Sequence, residues 1–160
     1  AAWAYQLGNR CAIDQVLEED GKRRALIYEM EQLRAEQNVA SEAIGAALLG
    51  ARGVDAVDID PTAVAATRAN ALANGVQVRA GLPDIAQGRY ALVLANILAT
   101  PLKLLAPLLC GHVAPGGALV LAGILDRQAD ELTQSYAPHL ALEVSDQEDG
   151  WILMTGRRAG

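Results

Sequence analysis

The sequence predicts an α/β fold in which a mostly parallel β-sheet follows a long N-terminal helix. After Gly53, short apolar or β-branched runs alternate with longer helical segments, which is the pattern of strands joined by helical crossovers. Before that point the chain is rich in Glu, Arg, Gln, Ala and Leu, and its first proline is Pro61. Aromatic residues make up only 4% of the chain and Phe is absent, so we expect an aliphatic core.

The N-terminal part is predicted to form one amphipathic helix from Asp14 to about Ala47. Opposite charges at helical spacing, such as Glu31 and Arg34, fit a solvated outer face. A break at Asp20-Gly21 is the alternative. The apolar stripe of this helix consists of Ile13, Leu17, Ile27, Met30 and Leu33.

The rest of the chain predicts strands that alternate with helices, separated by Gly, Pro and Asn-Gly breakers. The strands are predicted at Val54 to Asp58, Val76 to Ala80, Tyr90 to Ala95, Ala118 to Ala122, Leu140 to Val144 and Trp151 to Thr155. The helices are predicted at Thr62 to Asn74, Thr100 to His112 and Asp126 to Tyr136. A short acidic loop, Ser145 to Gly150, predicts that the last two strands form an antiparallel hairpin at one edge.

Length, charge and cysteine content limit the classes of function. A chain of 160 residues suits one domain of ordinary size, and a net charge of -6 argues against binding nucleic acid through bulk electrostatics. Cys11 and Cys110 stand apart without a CxxC pair or a Cys/His cluster, so we expect no disulfide framework and no metal site. No apolar run approaches the about 20 residues of a membrane helix. We therefore expect a cytoplasmic protein without a membrane partner.

Polar side chains follow three of the predicted strands. Asn96 ends an apolar run, where its carbonyl oxygen could accept a hydrogen bond from a substrate amine; the alternative is that it caps the next helix. Asp58 lies at the end of the first strand, where it could bind ribose hydroxyls or cap a helix. Asp84 lies in a turn, where it could accept from an exocyclic amine of a purine. The carboxyl ends of parallel strands are where ligands bind in such folds.

Five blocks of the sequence resemble the second half of a class I S-adenosylmethionine-dependent methyltransferase, in particular the PrmA family that methylates bacterial ribosomal protein L11. The blocks are VDAVDIDPTAVAATRANALANGV, RAGLPD, GRYALVLANILATPLKLLAPLL, VAPGGALVLAGILDRQADEL and EDGWILMTGRR. The resemblance covers residues 43 to 160 and implies a Rossmann-like sheet and methylation of amines on a ribosomal protein. It also implies S-adenosylmethionine as the cofactor, bound by Asp58, Ile59, Asp84 and Asn96, with Asn96 as the catalytic residue beside the amine.

The chain departs from this family where the first strand and a loop of the Asp-x-Gly-x-Gly-x-Gly type should stand. Residues 37–47 are QNVASEAIGAA instead, and Ala91 replaces an Asp that commonly opens the fourth strand. The first strand lies between the second and the fourth, so its loss would open a gap of about 10 Å, two strand spacings. Residues 25–29 could replace it, the second and fourth strands could pair directly, or the N-terminal helix could cover the exposed face or self-associate.

Residues 10–45 resemble the start of the N-terminal helical arm of bacterial seryl-tRNA synthetase through the blocks KRRAL, EQLRAEQN and SEAIG. Two parts are therefore predicted, a helical arm over 1–45 and a truncated methyltransferase-like domain over 46–160, joined either as a natural fusion or as an engineered chimera. A fold without activity and a tRNA-binding arm are the alternatives to an active enzyme. The basic residues of the arm are offset by acidic ones, so a solvated helix face is favoured over tRNA binding.

Overall fold

The structure is a computed structural model, and it describes Lys22 and residues 42–160. The chain divides into two compact units, Ala1–Gln37 and Asn38–Gly160. Lys22 is helical, and residues 42–48 form a helical segment that we name α1. The rest of the predicted N-terminal helix, its apolar stripe and the possible replacement strand lie outside the described residues. The predicted division into 1–45 and 46–160 thus stays a prediction.

Strands and helices alternate along residues 54–157, as the sequence predicts. The strands are β1 (Val54–Val57), β2 (Val78–Gly81), β3 (Tyr90–Asn96), β4 (Val113–Leu125), β5 (Glu143–Glu148) and β6 (Trp151–Arg157). The helices after α1 are α2 (Pro61–Ala73), α3 (Ala99–Leu104), α4 (Ala106–His112) and α5 (Ala129–Tyr136), with 3₁₀ turns at Pro83–Ile85 and Asp126–Gln128. No helix among these described residues is both long and apolar enough to cross a membrane.

The strands form two sheets within the described part of the chain. In the first, β1 and β2 are parallel, with Val57 opposite Gly81. In the second, the order is β3-β4-β6-β5, with β3 parallel to β4 and the other two pairs antiparallel. The α/β fold is therefore confirmed, and so is the antiparallel hairpin at one edge. The alternative in which the two strands on either side of the missing first strand, β1 and β3, pair directly is wrong, because β1 pairs only with β2 and β3 only with β4 among the described residues.

The start of α2 shows how local sequence sets an element. The Asp60 side chain accepts a hydrogen bond from the Thr62 N–H at 2.8 Å, and Pro61 occupies the first turn. An N-cap carboxylate satisfies a free N–H of the first turn, and Pro fits there because its position needs no donor. Gly75, with φ +63°, follows the end of the helix. The helix therefore begins and ends within one residue of its predicted bounds.

The main hydrophobic core packs α3, α4 and α5 against one face of the four-stranded sheet. Its largest fully buried side chains are Tyr136, Leu102, Leu119, Leu121, Ile124, Leu132, Met154 and Val113. The Tyr136 hydroxyl donates to the Leu102 carbonyl at 2.8 Å, so its buried polar atom is satisfied, and burial raises the pKa of this phenol. A smaller cluster of Ala43, Ala56, Val64 and Ala80 joins α1 and α2 to the two-stranded sheet.

Several predicted bounds were wrong. The helix predicted at Thr100 to His112 is two helices that meet at Leu105, because Pro107 has no N–H for the hydrogen bond to the residue one turn earlier. The strand predicted at Ala118 to Ala122 extends over all of β4. The helix predicted from Asp126 starts with a 3₁₀ turn.

The last hairpin also differs from its prediction. The strand predicted at Leu140 to Val144 begins later, at Glu143, and runs to Glu148, so the predicted loop is mostly strand. Only Asp149 and Gly150 form the turn, with φ of 49° and 81°. Asp-Gly favours a two-residue turn of this hand, since Gly tolerates positive φ and Asp does so better than most residues. Leu140 and Leu142 pack into the core instead.

Strand β3 is less buried than its continuous apolar run predicts. Val93 and Ala95 pack on the main core, but Leu92 is 48% exposed and Leu94 is 38% exposed. In the described residues β3 is an edge strand, because only β4 pairs with it. A continuous apolar run indicates a strand that is buried on both faces, but the face of β3 that carries these two leucines is exposed.

Candidate functional site

The residues at the end of β3 and the start of α1 meet through one side-chain hydrogen bond. The Asn96 amide nitrogen donates to Glu42 Oε1 at 3.1 Å. The next residue of α1, Ala43, is buried in the same cluster as Ala56 of β1, two residues before Asp58. Helix α1 thus contacts both the strand that ends at Asn96 and the strand that precedes Asp58.

The orientation of the Asn96 amide follows from its neighbours. A carboxylate such as that of Glu42 only accepts, so the amide nitrogen must point toward it. The amide oxygen faces Gly123, where a Cβ would lie 2.9 Å from Asn96 Oδ1 and 3.0 Å from the Ile97 carbonyl oxygen. Gly123 has φ +76° and lies in an irregular stretch of β4, so both its conformation and the close approach require glycine.

Glu42 has an environment unlike that of a surface carboxylate. It is half-buried, and the loss of solvation raises its pKa, while the hydrogen bond from Asn96 lowers that pKa in part. Sequence reasoning missed this residue, because Glu42 falls in a segment rich in glutamate that was predicted to be helical, and nothing in its spacing distinguishes it. Only the contact with β3 reveals it.

Asp58 begins the turn between β1 and α2. Its Oδ1 accepts from the Asp60 N–H at 2.8 Å, and its own N–H donates to the Gly81 carbonyl at 3.2 Å. Among residues 42–160 its second carboxylate oxygen accepts no hydrogen bond. The N-cap of α2 is Asp60, so Asp58 does not cap this helix, and within the described residues its second oxygen can accept from a ligand.

Ile59 and the turn that contains Asp84 lie next to Asp58 along the chain or across the sheet. The Ile59 side chain is 86% exposed. Because Val57 is opposite Gly81, the segments that follow β1 and β2 leave neighbouring strands at the same edge, and Asp84 is exposed in the second of them. A Cβ on Gly81 would lie 3.0 Å from the Ile85 side chain, so glycine lets this turn fold back against the strand end.

At the opposite end of β1, Asp55 joins all three strands of this region. Arg79 of β2 donates from Nε and Nη2 to its two oxygens, at 2.7 and 2.5 Å, and the Tyr90 hydroxyl of β3 donates to Oδ2 at 2.6 Å. The Asp55 side chain is 12% exposed, and the hydrogen bonds from Arg79, above all, hold its pKa below the usual range. The cross-strand register of Asp55 and Arg79 was a signal that sequence reasoning could have used.

These groups can bind two kinds of ligand. A free carboxylate oxygen beside an exposed aliphatic side chain suits a ribose with its attached base, as at Asp58 and Ile59. A half-buried carboxylate with an amide suits a cationic amine, as at Glu42 and Asn96. In residues 42–160 and at Lys22, no group of three His, Cys, Asp or Glu side chains could hold a metal ion.

Comparison with known proteins places residues 42–159 in the family described as ribosomal protein L11 methyltransferase (PrmA). The chain is 68% identical over 115 residues to the ribosomal protein L11 methyltransferase of Polaromonas sp. (strain JS666), covering 72% of this chain and 39% of that relative. Its counterpart from Bordetella parapertussis is 52% identical over 118 residues, covering 73% and 38%. The chain thus spans about two fifths of the length of these curated relatives.

Solved structures show the same fold. A crystal structure of ribosomal protein L11 methylase from Lactobacillus delbrueckii subsp. bulgaricus has a TM-score of 0.68 and 30% identity, covering 76% of this chain and 66% of that one. The 16S rRNA N2 G1207 methyltransferase of T. thermophilus, solved with AdoMet and guanosine, has a TM-score of 0.52, 20% identity and coverage of 69% and 30%. The second similarity concerns the fold alone.

Proposed function

Since the chain belongs to the ribosomal protein L11 methyltransferase (PrmA) family, we propose that it acts in S-adenosylmethionine-dependent methylation of amines on a ribosomal protein. The observation that carries the proposal is that one carboxylate oxygen of Asp58, directly after β1 and beside the exposed Ile59, accepts no hydrogen bond from residues 42–160. A cytoplasmic location is part of the same proposal.

The described residues fit the nucleoside half of S-adenosylmethionine. Asp58 has an acceptor for ribose hydroxyls, Ile59 offers an apolar surface to the adenine ring, and Asp84 can accept from its exocyclic amine. For the methionine half, the sequence lacks the glycine-rich loop that would precede α1. The side chain at the start of α1 is instead Glu42, which accepts a hydrogen bond from Asn96. We therefore assign the recognition of the cofactor mainly to the segments that follow β1 and β2.

In the proposed reaction the chain's residues bind and orient, while the bound cofactor supplies an electrophilic methyl group. Asp58 and Ile59 hold the nucleoside at the edge of the two-stranded sheet. Asn96, which donates to Glu42 and lies beside Gly123, marks the place where the substrate amine approaches. A preoriented amine loses less freedom on the way to the transition state. The amine must be neutral to attack, so its ammonium form must first release a proton to solvent.

The test is methyl transfer from labelled S-adenosylmethionine to purified ribosomal protein L11 by the full chain, together with calorimetric titration of the cofactor. We expect saturable cofactor binding that Asp58→Asn weakens by about tenfold, since a hydrogen bond to a charged group is lost. Glu143→Gln, an exposed carboxylate on β5, is the matched control and should bind as the unmodified chain does. Absence of heat at millimolar cofactor would contradict the proposal.

A second candidate is a domain that keeps the fold without turnover. The absence of the glycine-rich loop from residues 37–47 favours it. This candidate predicts binding of adenosine but no methyl transfer to ribosomal protein L11. The synthetase-like arm, its contact with tRNA and self-association concern residues outside the described part of the chain, and they stay predictions from the sequence.

A further inference from the structure

Glu42 is a half-buried carboxylate whose charge has no partner in the described structure. The two ion pairs formed within residues 42–160 join Arg79 to Asp55 and Lys103 to Glu131, and neither includes Glu42. Its hydrogen bond from Asn96 comes from a neutral amide. A carboxylate that loses solvation without gaining a cation is costly, so a cationic ligand here would be stabilised.

The charged side chains on the elements around α1 are already engaged. Arg68 donates to the Ala80 carbonyl at 3.0 and 2.7 Å, Arg79 pairs with Asp55, Asp58 accepts from Asp60, and Asp60 caps α2. None of these contacts involves Glu42. No Lys or Arg of residues 42–160, including Arg52 just after α1, forms an ion pair with Glu42, so a cation that pairs with this carboxylate comes either from outside these residues or from a ligand.

Asn96 holds this carboxylate at the end of β3. Its amide nitrogen donates to Glu42 Oε1, and its amide oxygen lies beside Gly123, where glycine leaves room that a Cβ would fill. Because an amide nitrogen donates and a carboxylate accepts, this hydrogen bond orients Glu42 Oε1, so Asn96 acts as a positioning residue. The direct acceptor for a cation at this point is the carboxylate of Glu42.

We infer that Glu42 binds the cationic amine of the substrate, with its carboxylate pairing with the ammonium and with Asn96 holding that carboxylate in place. The inference rests on the proposed amine methylation, but it concerns the amine rather than the cofactor. A lysine side chain or a free α-amino group supplies such an ammonium. The raised pKa of Glu42 is consistent with a carboxyl that gains from a cationic partner.

The probe is butylammonium, which carries the charge and chain length of a lysine side chain, added to the full chain without cofactor. Binding is followed by the carbon-13 signal of the Glu42 carboxyl and by calorimetry, with butanol as the uncharged analogue. Glu42→Gln keeps the shape and can still accept from Asn96, and Glu143→Gln is the control. We expect Glu42→Gln to weaken butylammonium binding by about tenfold or more. We expect Glu143→Gln to leave the binding unchanged.

A pH series separates this role from a structural one. Butylammonium stays protonated well above neutral pH, so its affinity should rise as pH increases through the pKa of Glu42. The series should be flat for Glu42→Gln. Equal affinity for butylammonium and butanol, or equal affinity of Glu42→Gln and the unmodified chain, would overturn the inference.

The binding experiments distinguish a failure of this inference from a failure of the proposed function. If the chain binds butylammonium through Glu42 but binds no adenosine, the inference holds and the assignment of the cofactor site fails. If Glu42→Gln weakens S-adenosylmethionine but not butylammonium, the carboxylate serves the amino group of the cofactor and the inference is wrong. A near-ultraviolet dichroism spectrum of each variant verifies its fold.

Discussion

The hydrogen bond from Tyr90 to Asp55 is expected to stabilise the chain, because it is a side-chain contact between the two sheets. Tyr90→Phe removes only the hydroxyl, which lies 2.6 Å from Asp55 Oδ2. A hydrogen bond to a charged group contributes about 1.5–3 kcal/mol. Arg79 keeps its own hydrogen bonds to the carboxylate, and solvent screens the partly exposed contact of Tyr90. We therefore expect Tyr90→Phe to lower the free energy of unfolding by about 1 kcal/mol.

The assay is urea unfolding at neutral and acid pH, with a double-mutant cycle. In an Asp55→Asn background the effect of Tyr90→Phe should shrink, because the charged acceptor is gone. The folded pKa of Asp55 is lowered, so the stability it contributes is present above its unfolded pKa and is lost as pH falls through the folded value. The cost of Tyr90→Phe should fall over the same range. An equal cost in both backgrounds, or no cost at neutral pH, would refute the reasoning.

Three further predictions concern packing, a glycine and a carboxylate. Leu121→Ala, at a fully buried position of β4, should cost about 2–5 kcal/mol in urea unfolding, whereas Leu92→Ala, at a side chain that is 48% exposed, should cost much less; equal losses would contradict the burial described. Gly123→Ala should lower the thermal midpoint by several degrees and shift the Asn96 amide signals, because its Cβ would lie 2.9 Å from Asn96 Oδ1 at a φ of +76°. Glu42→Gln should raise stability more at pH 7 than at pH 4. The folded pKa of Glu42 is raised, so the charged form costs stability above that pKa and not below its unfolded value. A gain that is independent of pH would count against the burial of this charge.

Local signals predicted much of the fold. Asp60 and Pro61 fixed the start of α2, and the alternation of strands and helices predicted the parallel pairs. The break at Leu105 could also have been predicted from the sequence, because Pro107 cannot continue the preceding helix. Features that depend on contacts between distant residues could not be predicted from local sequence. The full length of β4 depends on its pairing with β3 and β6, and this pairing is known only from the structure.

The candidate site was predictable only where it follows strand ends. Asp58 and Asn96 attract attention because a polar side chain ends an apolar run. Glu42 does not, because its role comes from a contact with a residue far along the chain. The exposure of one face of β3 could not be predicted either, since an apolar run predicts burial and does not indicate whether a neighbouring strand is present.

The central claim is that the segments after β1 and β2 bind a nucleoside. The most direct measurement is a map of backbone amide shifts during titration of the full chain with adenosine. We predict saturable changes at Asp58, Ile59 and Asp84, abolished by Asp58→Asn. Changes confined to the open depression lined by Lys103, Glu131, Gln134 and Ser135, or no saturable change in the chain, would contradict the claim.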